Sequence, residues 1–242
     1  MANNIKKIAF VGNYLPRRCG IATFTTDLCE AFAALSPSVQ SFAIPVTDIE
    51  EGYDYPERVR FEIKEQDIIS YKAAADFLNL NNIDAVCLQH EFGIFGGDAG
   101  SYILTLLRQL KMPIVTTLHT VLLHPSALQK RVMDELLDLS DYVVVMTQKA
   151  IDILQAVNKI HGPKIRLVPH GIPDVSFIDP NFYKDQYGVE GKTALLTFGL
   201  LAPHKGIEVV LRALPKVIKE HPNAVYISVS YTHLTLPTKR IV

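Results

Sequence analysis

Cysteine, net charge and long apolar runs are all scarce in this 242-residue sequence. The three cysteines, Cys19, Cys29 and Cys87, are odd in number and show no C-x-x-C spacing, which excludes a disulfide framework. The 24 basic and 25 acidic residues nearly balance, so we expect no nucleic-acid partner. No segment reaches the roughly 18 apolar residues of a membrane span, and the amino-terminal apolar run is too short for a signal peptide. These absences predict a cytoplasmic protein with at most peripheral membrane contact.

Several catalytic and cofactor signatures are missing as well. The sequence contains no H-E-x-x-H, G-x-S-x-G or D-x-D motif, so zinc proteases, α/β-hydrolases and metal-carboxylate sugar transferases lack their signatures here. The tripeptide "GKT" at residues 191–193 is not part of a P-loop, because Gln186 stands where the first glycine belongs. The glycines after residue 92 are spaced G-x-x-G-G-x-x-G, unlike a dinucleotide-binding loop. We therefore predict neither a metal site nor a resident cofactor.

What the sequence does contain is an alternation of short β-branched runs with helical patterns. The strand-like runs are apolar on both faces, and the segments between most of them are amphipathic. This pattern predicts a parallel sheet covered on both sides, a doubly wound, Rossmann-like α/β domain over residues 1–170. The expected strands are "KIAFVGN", "VQSFAIPV", "VRFEI", "DAVCLQH", "PIVTTLH", "DYVVVM" and "KIRLVP".

A second unit is expected after a linker. Residues 171–191 are rich in glycine, proline and aspartate and have no periodicity, which is typical of an interdomain linker. Residues 192–228 then show a strand, a turn, a helix that begins near Gly206 and ends near Glu220, and another strand. One βαβ unit cannot cover both faces of its own sheet, so we expect the incomplete start of a second Rossmann-like domain.

The last residues, 229–242, fit this pattern poorly. They have strand-like composition, but no helix follows them. Back-translation of residues 229–238 resembles the transposase adaptor that is used to prepare sequencing libraries. We therefore expect a non-native tail after residue 228, with a genuine carboxyl-terminal hairpin as the alternative.

The candidate site residues follow predicted strands, where open α/β sheets bind their ligands. Gly20 permits close approach of a ligand to a helix start, although an ordinary βα loop has the same pattern. His90 and Glu91 precede a glycine loop that contains Gly96 and Gly97. The adjacent His90 and Glu91 either orient a sugar hydroxyl or cap the next helix.

Two further residues have chemistry suited to a hydroxyl or an anion. His119 ends a predicted strand, where an imidazole donates or accepts a hydrogen bond near neutral pH; a structural histidine is the alternative. Lys205 directly precedes a helix start, so its charge and the helix dipole converge on one anion. The alternative for Lys205 is a solvated turn residue.

Taken together, these segments resemble the family-4 glycosyltransferases, whose GT-B fold has two Rossmann-like domains. The resemblance extends over residues 5–227 and rests on "PRRCGI", "LQHEFGIFGGDAGS", "PIVTTLHT", "VPHGI" and "FGLLAPHKGIEVVLRALP". It implies retaining, metal-independent transfer of a sugar, by a hexosyltransferase-like enzyme, from a nucleoside-diphosphate sugar. The implied acceptor is a hydroxyl of a glycan, a lipid or a small molecule, bound in a cleft between two domains.

The resemblance also implies roles for single residues. Lys205 and Gly206 fit the family motif G-R-L-x-x-x-K-G, whose lysine holds the diphosphate of the nucleotide sugar. The implied roles are catalytic for His119 and Glu91, donor-diphosphate binding for Lys205, Gly206 and Gly20, and lining of the sugar or acceptor pocket for His90, Gly96 and Gly97.

Three departures from the family pattern are visible. Leu200 stands where the diphosphate-binding arginine is usual, and Ile21 replaces the second glycine of the loop after the first strand. The E-x7-E segment, which contacts the donor sugar and ribose in the family, would lie beyond residue 228. We therefore expect the 242-residue chain to be inactive by itself. Two alternatives stay open: a GT-B-fold nucleotide-sugar epimerase, and a noncatalytic carbohydrate-binding module.

Overall fold

The computed structural model describes residues 5–172, 174–199 and 205–229, together with the backbone of residues 239–241. The chain forms two compact units, Met1–Gly171 and Ile172–Val242. The candidate residues up to His119 therefore lie in the first unit, and Lys205 and Gly206 lie in the second. The predicted linker, residues 171–191, begins at the division between the units.

The first unit is built on a sheet of seven strands that pair in parallel. They are β1 (Lys7–Gly12), β2 (Gln40–Thr47), β3 (Ile63–Lys64), β4 (Ala85–His90), β5 (Ile114–Leu118), β6 (Tyr142–Val145) and β7 (Ile165–Leu167). Their order in the sheet is β3-β2-β1-β4-β5-β6-β7. The order reverses between β1 and β4, where Val11 pairs with Leu88. Ligands of doubly wound sheets bind at the carboxyl ends of the strands beside such a reversal.

Four helices of the first unit begin at residues whose side chains cap them. Cys19, Asp67, Ser126 and Thr147 each accept a hydrogen bond from a backbone N–H of the following first turn, which satisfies a donor that the helix leaves free. The capped helices are α1 (Gly20–Leu35), α2 (Ile68–Leu80), α4 (Ala127–Leu139) and α5 (Gln148–Ile153), and α3 (Tyr102–Leu107) lies between α2 and α4.

The core lies on both faces of the central strands. Ala9 and Val11 belong to one large apolar cluster together with Leu88, whereas Phe10 belongs to a second cluster with Cys29. Successive residues of a strand face opposite sides of the sheet, so β1 is covered on both sides. The doubly wound, Rossmann-like fold that the sequence predicted is confirmed.

Two elements of the first unit differ from the sequence prediction. The predicted strand at residues 59–63 is reduced to β3, and Val59 forms only an isolated bridge with Ala43. The helical segment that follows β6 changes after α5 into a π-helical turn, Leu154–Asn158, which ends at the left-handed Lys159. A hydrophobic period near 3.6 does not reveal such a turn, because one widened turn leaves the apolar pattern almost unchanged.

The second unit contains a βαβ arrangement. Its elements are α6 (Pro180–Gln186), β8 (Thr193–Phe198), α7 (Ile207–Glu220), β9 (Ala224–Val229) and β10 (Lys239–Ile241). β8 and β9 pair in parallel across α7, as predicted, and β10 pairs antiparallel with β9. Residues 230–238 lie outside the described residues, and the non-native origin of the tail stays a prediction.

The predicted linker contains regular structure. Asp179 caps α6 by accepting a hydrogen bond from the backbone N–H of Asn181 at 2.9 Å, and Pro180 occupies the first helical position. Proline at this position fits a helix start, because its missing N–H has no intrahelical partner to lose. Pro180, which together with the glycines and aspartates predicts a linker, therefore marks the beginning of a short helix.

Apolar side chains of the second unit stay exposed. Leu196 and Phe198 of β8 are 60% and 77% exposed, and Val209 of α7 is 61% exposed. A βαβ unit needs further elements to cover such side chains. Their exposure fits the expectation that one βαβ unit cannot bury its own sheet.

Two features are absent from the part of the chain that the structure describes. None of its helices combines the length and the hydropathy needed to cross a bilayer. Nor does it hold a group of three or more His, Cys, Asp or Glu side chains placed to bind a metal ion.

Candidate functional site

Candidate residues of the first unit lie at the carboxyl ends of β4 and β5, next to β1. The two strands are adjacent in the sheet, and His90 pairs with Leu118. His119 directly follows β5 and donates its backbone N–H to the carbonyl oxygen of His90 at 3.0 Å. The structure thus brings together two histidines that the sequence predicted from separate motifs.

The side chain of His119 has one polar and one aromatic contact. Its Nε2 lies 3.0 Å from Oε1 of Gln89. Phe24 of α1 meets the ring edge-on, with 4.7 Å between the ring centroids, and it also contacts His170. Burial first, and the nearby charge of His170 second, lower the pKa of His119 to about 4. The partly exposed imidazole is therefore neutral near pH 7 and acts as a hydrogen-bonding group.

Gln89 is a functional candidate that sequence reasoning missed. It is fully buried in β4, and its Nε2 donates to Sγ of Cys87 at 3.4 Å. Gly12 leaves room for it, because a Cβ at Gly12 would lie 2.9 Å from Cβ of Gln89. The available signal was a glutamine next to His90 at the end of a buried strand, since such a group needs a hydrogen-bond partner.

Glu91 links the ends of β4 and β5. Its Oε1 accepts a hydrogen bond from the backbone N–H of Phe92 at 2.9 Å, which caps the short 3₁₀ helix Phe92–Ile94. Its Oε2 accepts a hydrogen bond from the hydroxyl of Thr120. Both carboxylate oxygens therefore have partners here, and a catalytic role for Glu91 stays a prediction.

His90 is the buried member of the histidine pair. Its ring stacks on Phe95 and meets Phe92 edge-on. Among the described residues, neither ring nitrogen has a hydrogen-bond partner. Burial, and secondly the charge of His119, lower the pKa of His90 to about 3. The ring has no exposed surface here, and its predicted place in a sugar or acceptor pocket stays a prediction.

Gly96 and Gly97 lie in a tightly packed turn. The N–H of Gly96 donates to the hydroxyl of Tyr71 at 2.9 Å, and that hydroxyl donates to the carbonyl oxygen of Glu65 at 3.0 Å. A Cβ at Gly96 would lie 1.9 Å from the same carbonyl oxygen, and one at Gly97 would lie 2.5 Å from the ring of Tyr102. Both glycines are thus required by packing, and their role in a pocket stays a prediction.

Arg17 anchors the segment between β1 and α1. Its guanidinium lies 3.2 Å from Asp48 and 3.5 Å from Glu65, and it also donates to Oδ1 of Asn13 and to the carbonyl oxygen of Val46. The side chain is only 12% exposed. Arg17 therefore holds this segment against the end of β2, a role that its motif did not reveal.

Gly20 begins α1 and faces open space. A Cβ there would meet no atom within 4 Å. The first N–H groups of a helix have no intrahelical acceptor, and that of Ala22 is taken by Sγ of Cys19 at 3.3 Å. Ile21, which replaces the second glycine of the family, packs against the large core cluster. Contact of Gly20 with a donor diphosphate stays a prediction.

Lys205 and Gly206 start α7 in the second unit. Lys205 is exposed, and Gly206 is the N-cap in a left-handed conformation with φ of 64°. Gly206 has no side chain that could cap this helix start, and Glu208 places a carboxylate in its first turn. Leu200 lies outside the described residues. The helix start and the lysine offer an anion positive potential, which Glu208 partly offsets.

Comparison with protein families identifies the first unit. The model of Glycosyltransferase Family 4 matches residues 19–175, which is more than half of the chain. The chain belongs to glycosyltransferase family 4. The resemblance drawn from the sequence motifs is thus confirmed, and the matched residues include Gly20, Glu91 and His119.

Solved structures share the fold of this family-4 chain at low sequence identity. The catalytic domain of starch synthase IV from Arabidopsis thaliana, bound to ADP and acarbose, aligns with a TM-score of 0.61 and 11% identity, over 95% of this chain and 69% of that one. An alpha-glucosyltransferase in complex with UDP-glucose and DNA containing an abasic site aligns with a TM-score of 0.55 and 13% identity, over 93% and 67%. An alpha,alpha-trehalose-phosphate synthase (UDP-forming) from Burkholderia vietnamiensis aligns with a TM-score of 0.55 and 12% identity, over 95% and 66%.

These likenesses confirm the predicted GT-B fold, and the family-4 chain spans about two thirds of each of the three proteins. No curated protein matches the sequence. The structural comparisons therefore support the fold, and the family assignment depends on residues 19–175.

Proposed function

We propose that this family-4 chain moves a sugar from a nucleoside-diphosphate sugar to an acceptor hydroxyl, as part of a retaining, metal-independent, hexosyltransferase-like enzyme. The observation that carries the proposal is the side chain of His119. It is a neutral, partly exposed imidazole at a strand end of the matched unit, fixed on one side by Gln89. A neutral imidazole is suited to hold a sugar hydroxyl, which both donates and accepts hydrogen bonds.

The donor class is proposed from the same site and from the neighbours. Two of the solved structures contain ADP or UDP-glucose. In the second unit, Lys205 and the start of α7 would bind the diphosphate. Negative charge grows on the diphosphate as its bond to the anomeric carbon breaks, and a fixed cation and helix dipoles stabilise it without a metal.

The acceptor side is proposed to lie along the loop after β4. Glu91 would exchange its bond with Thr120 for one to a sugar or acceptor hydroxyl. Gly96 and Gly97 would shape the pocket indirectly, because they let the loop pack against Tyr71 and Tyr102. His90 would stabilise this loop by packing its ring against Phe92 and Phe95.

We further propose that the 242-residue chain acts in the cytoplasm and binds a nucleotide sugar without transferring it by itself. Exposed Leu196, Phe198 and Val209 leave the second unit without a covered sheet, so its diphosphate site is not held firmly. Release of nucleoside diphosphate from a panel of nucleotide sugars and acceptors tests this proposal. We expect no turnover above the protein-free rate, and turnover would overturn the inactivity.

Product analysis and binding measurements with the same panel separate the alternatives. Conversion of a nucleotide sugar into its epimer without an acceptor would replace the transferase with an epimerase. Glycan binding without any nucleotide affinity would replace it with a carbohydrate-binding module. Binding of a nucleotide sugar that His119→Ala and Lys205→Ala each weaken would support the transferase.

A further inference from the structure

We propose that Gln89 is the positioning residue of this site: it holds the Nε2–H of His119, so that Nδ1 is presented as the acceptor of a hydrogen bond from a hydroxyl. The identity of that hydroxyl, on a donor sugar, rests on the proposed function. The orientation and tautomer of His119 do not depend on it.

The hydrogen-bond partners of the Gln89 amide show which of its two ends faces His119. Its Nε2 donates to Sγ of Cys87 at 3.4 Å, and its Oε1 lies 3.0 Å from Nε2 of His119. Burial raises the pKa of the Cys87 thiol to about 12, so the sulfur is uncharged, and it accepts the hydrogen bond that Nε2 of Gln89 donates. An amide oxygen only accepts hydrogen bonds, so Nε2 of His119 is the protonated nitrogen.

The second ring nitrogen of His119 then has a defined role. A neutral imidazole carries one N–H, so Nδ1 is an acceptor. Among the described residues no partner is found for Nδ1, although the ring is only partly exposed. The ionisable groups near the ring are His170 and His90, and Glu91 is bound to Thr120 at the neighbouring strand end. None of these gives Nδ1 a carboxylate partner within the described part of the chain.

The packing around Gln89 leaves its side chain little freedom. Gln89 is fully buried, and the absence of a side chain at Gly12 provides the space that Cβ and Cγ of Gln89 fill. Phe24 closes the edge of the His119 ring. A histidine that serves the core alone would be enclosed, as His90 is, whereas His119 keeps one nitrogen available at a strand end. This contrast points to a binding role for His119 and a positioning role for Gln89.

The test uses nitrogen NMR of the 242-residue chain with labelled histidine, with His119 assigned from a His119→Asn variant. The wild type is expected to show a protonated Nε2 and an unprotonated Nδ1 in a single tautomer near pH 7. Gln89→Met, which keeps the volume and removes the acceptor, should move both shifts toward averaged values. Gln89→Glu keeps an acceptor of the same shape, and its carboxylate should raise the pKa of His119 by roughly 1–3 pH units.

Phe24→Leu is the matched control, because Phe24 touches the same ring without a hydrogen bond. It should leave the tautomer of His119 unchanged. A protonated Nδ1 in the wild type, or a Gln89→Glu variant whose His119 titrates as in the wild type, would overturn the positioning role.

A titration with UDP-glucose and with ADP-glucose separates this inference from the proposed function. Gln89→Met should weaken binding of the nucleotide sugar about twofold or more, because averaging of the tautomers leaves Nδ1 the acceptor in only about half of the molecules, and should leave binding of the bare nucleotide unchanged. In Gln89→Glu, sugar binding should recover only at a pH above the raised pKa of His119, where the ring is neutral and its Nδ1 again accepts a hydrogen bond. If the tautomer behaves as stated but neither nucleotide sugar perturbs the His119 signals, the proposed function is wrong and the positioning role stands.

Discussion

His119 and His90 lie at the ends of neighbouring strands, but their rings have different surroundings. The ring of His119 is partly exposed and suited to binding, whereas the ring of His90 is buried and serves packing. The sequence predicted both residues, because each ends an apolar run that forms a strand. It did not predict Gln89 or Arg17, whose partners are distant in the sequence. Such contacts depend on which strands become neighbours, and a strand's own period of two does not contain that information.

The two histidines predict a loss of stability in mild acid. Their unfolded pKa is near 6.5, whereas burial keeps His90 neutral in the native state to about pH 3 and His119 to about pH 4. Between these values the unfolded state binds more protons, so the free energy of unfolding falls as the pH falls. For His90 the expected slope is up to about 1.4 kcal/mol per pH unit. Urea denaturation of the wild type and His90→Leu at several pH values measures it.

The His90→Leu variant should show a shallower dependence on pH, because it lacks one of the two groups. Phe92→Leu provides the control, because it changes a ring that contacts His90 and removes no titratable group, and its pH profile should run parallel to that of the wild type. Parallel profiles for wild type and His90→Leu would show that folding does not lower the pKa of His90, and would contradict this account.

Gly12 predicts a second effect of a single residue. In Gly12→Ala the new Cβ would lie 2.9 Å from Cβ of Gln89, so Gln89 or the end of β1 must shift. We expect a loss of about 1–3 kcal/mol in the free energy of unfolding, measured by urea denaturation, as for other overpacked sites. Gly20→Ala, where a Cβ meets no atom within 4 Å, should lose none. Equal stability of the two variants would contradict the packing described for β1.

Elements show how far a local pattern determines structure. The sequence predicted the parallel sheet, the helices between its strands and the βαβ start of the second unit. It did not predict α6 or the π-helical turn Leu154–Asn158. A short helix carries too few residues for a periodic signal, so Asp179 and Pro180 were interpreted as loop residues although they also fit a helix start.

The loop after β4 gives the prediction at this scale. Gly96→Ala would place a Cβ 1.9 Å from the backbone oxygen of Glu65, which cannot move aside as a flexible side chain can. We expect thermal unfolding and urea denaturation to show a loss of about 3 kcal/mol, the upper range for overpacking. In Gly93→Ala, three residues earlier, the Cβ meets no atom within 4 Å and should have little effect. A stable Gly96→Ala protein would mean that this loop is loosely packed.

For the whole molecule, the division into two units follows from where apolar residues are buried. The first unit has a covered sheet, whereas apolar side chains of the second stay exposed. The family assignment depends on residues 19–175 and not on the small second sheet. Composition and alternation predicted the first unit because it buries both faces of its sheet. Composition and alternation could not predict which apolar side chains of the second unit stay exposed.

Limited proteolysis tests this division. Phe177 is 90% exposed in a segment without regular structure after the boundary at Gly171. We expect brief chymotrypsin treatment to cut first after Phe177 and to leave a stable fragment that contains the first unit, as mass spectrometry would show. First cleavage inside residues 20–170 would contradict the compactness of that unit.

The most direct measurement for the central claim is a calorimetric comparison of a nucleotide sugar with its bare nucleotide, in the wild type and in His119→Ala. UDP-glucose with UDP, and ADP-glucose with ADP, form the two pairs. If His119 holds the donor sugar, the wild type binds the sugar-bearing nucleotide more tightly, and His119→Ala removes about tenfold of that advantage while the affinity for the bare nucleotide stays the same. An equal loss for both ligands, or no loss for either, would contradict the claim that His119 contacts the sugar.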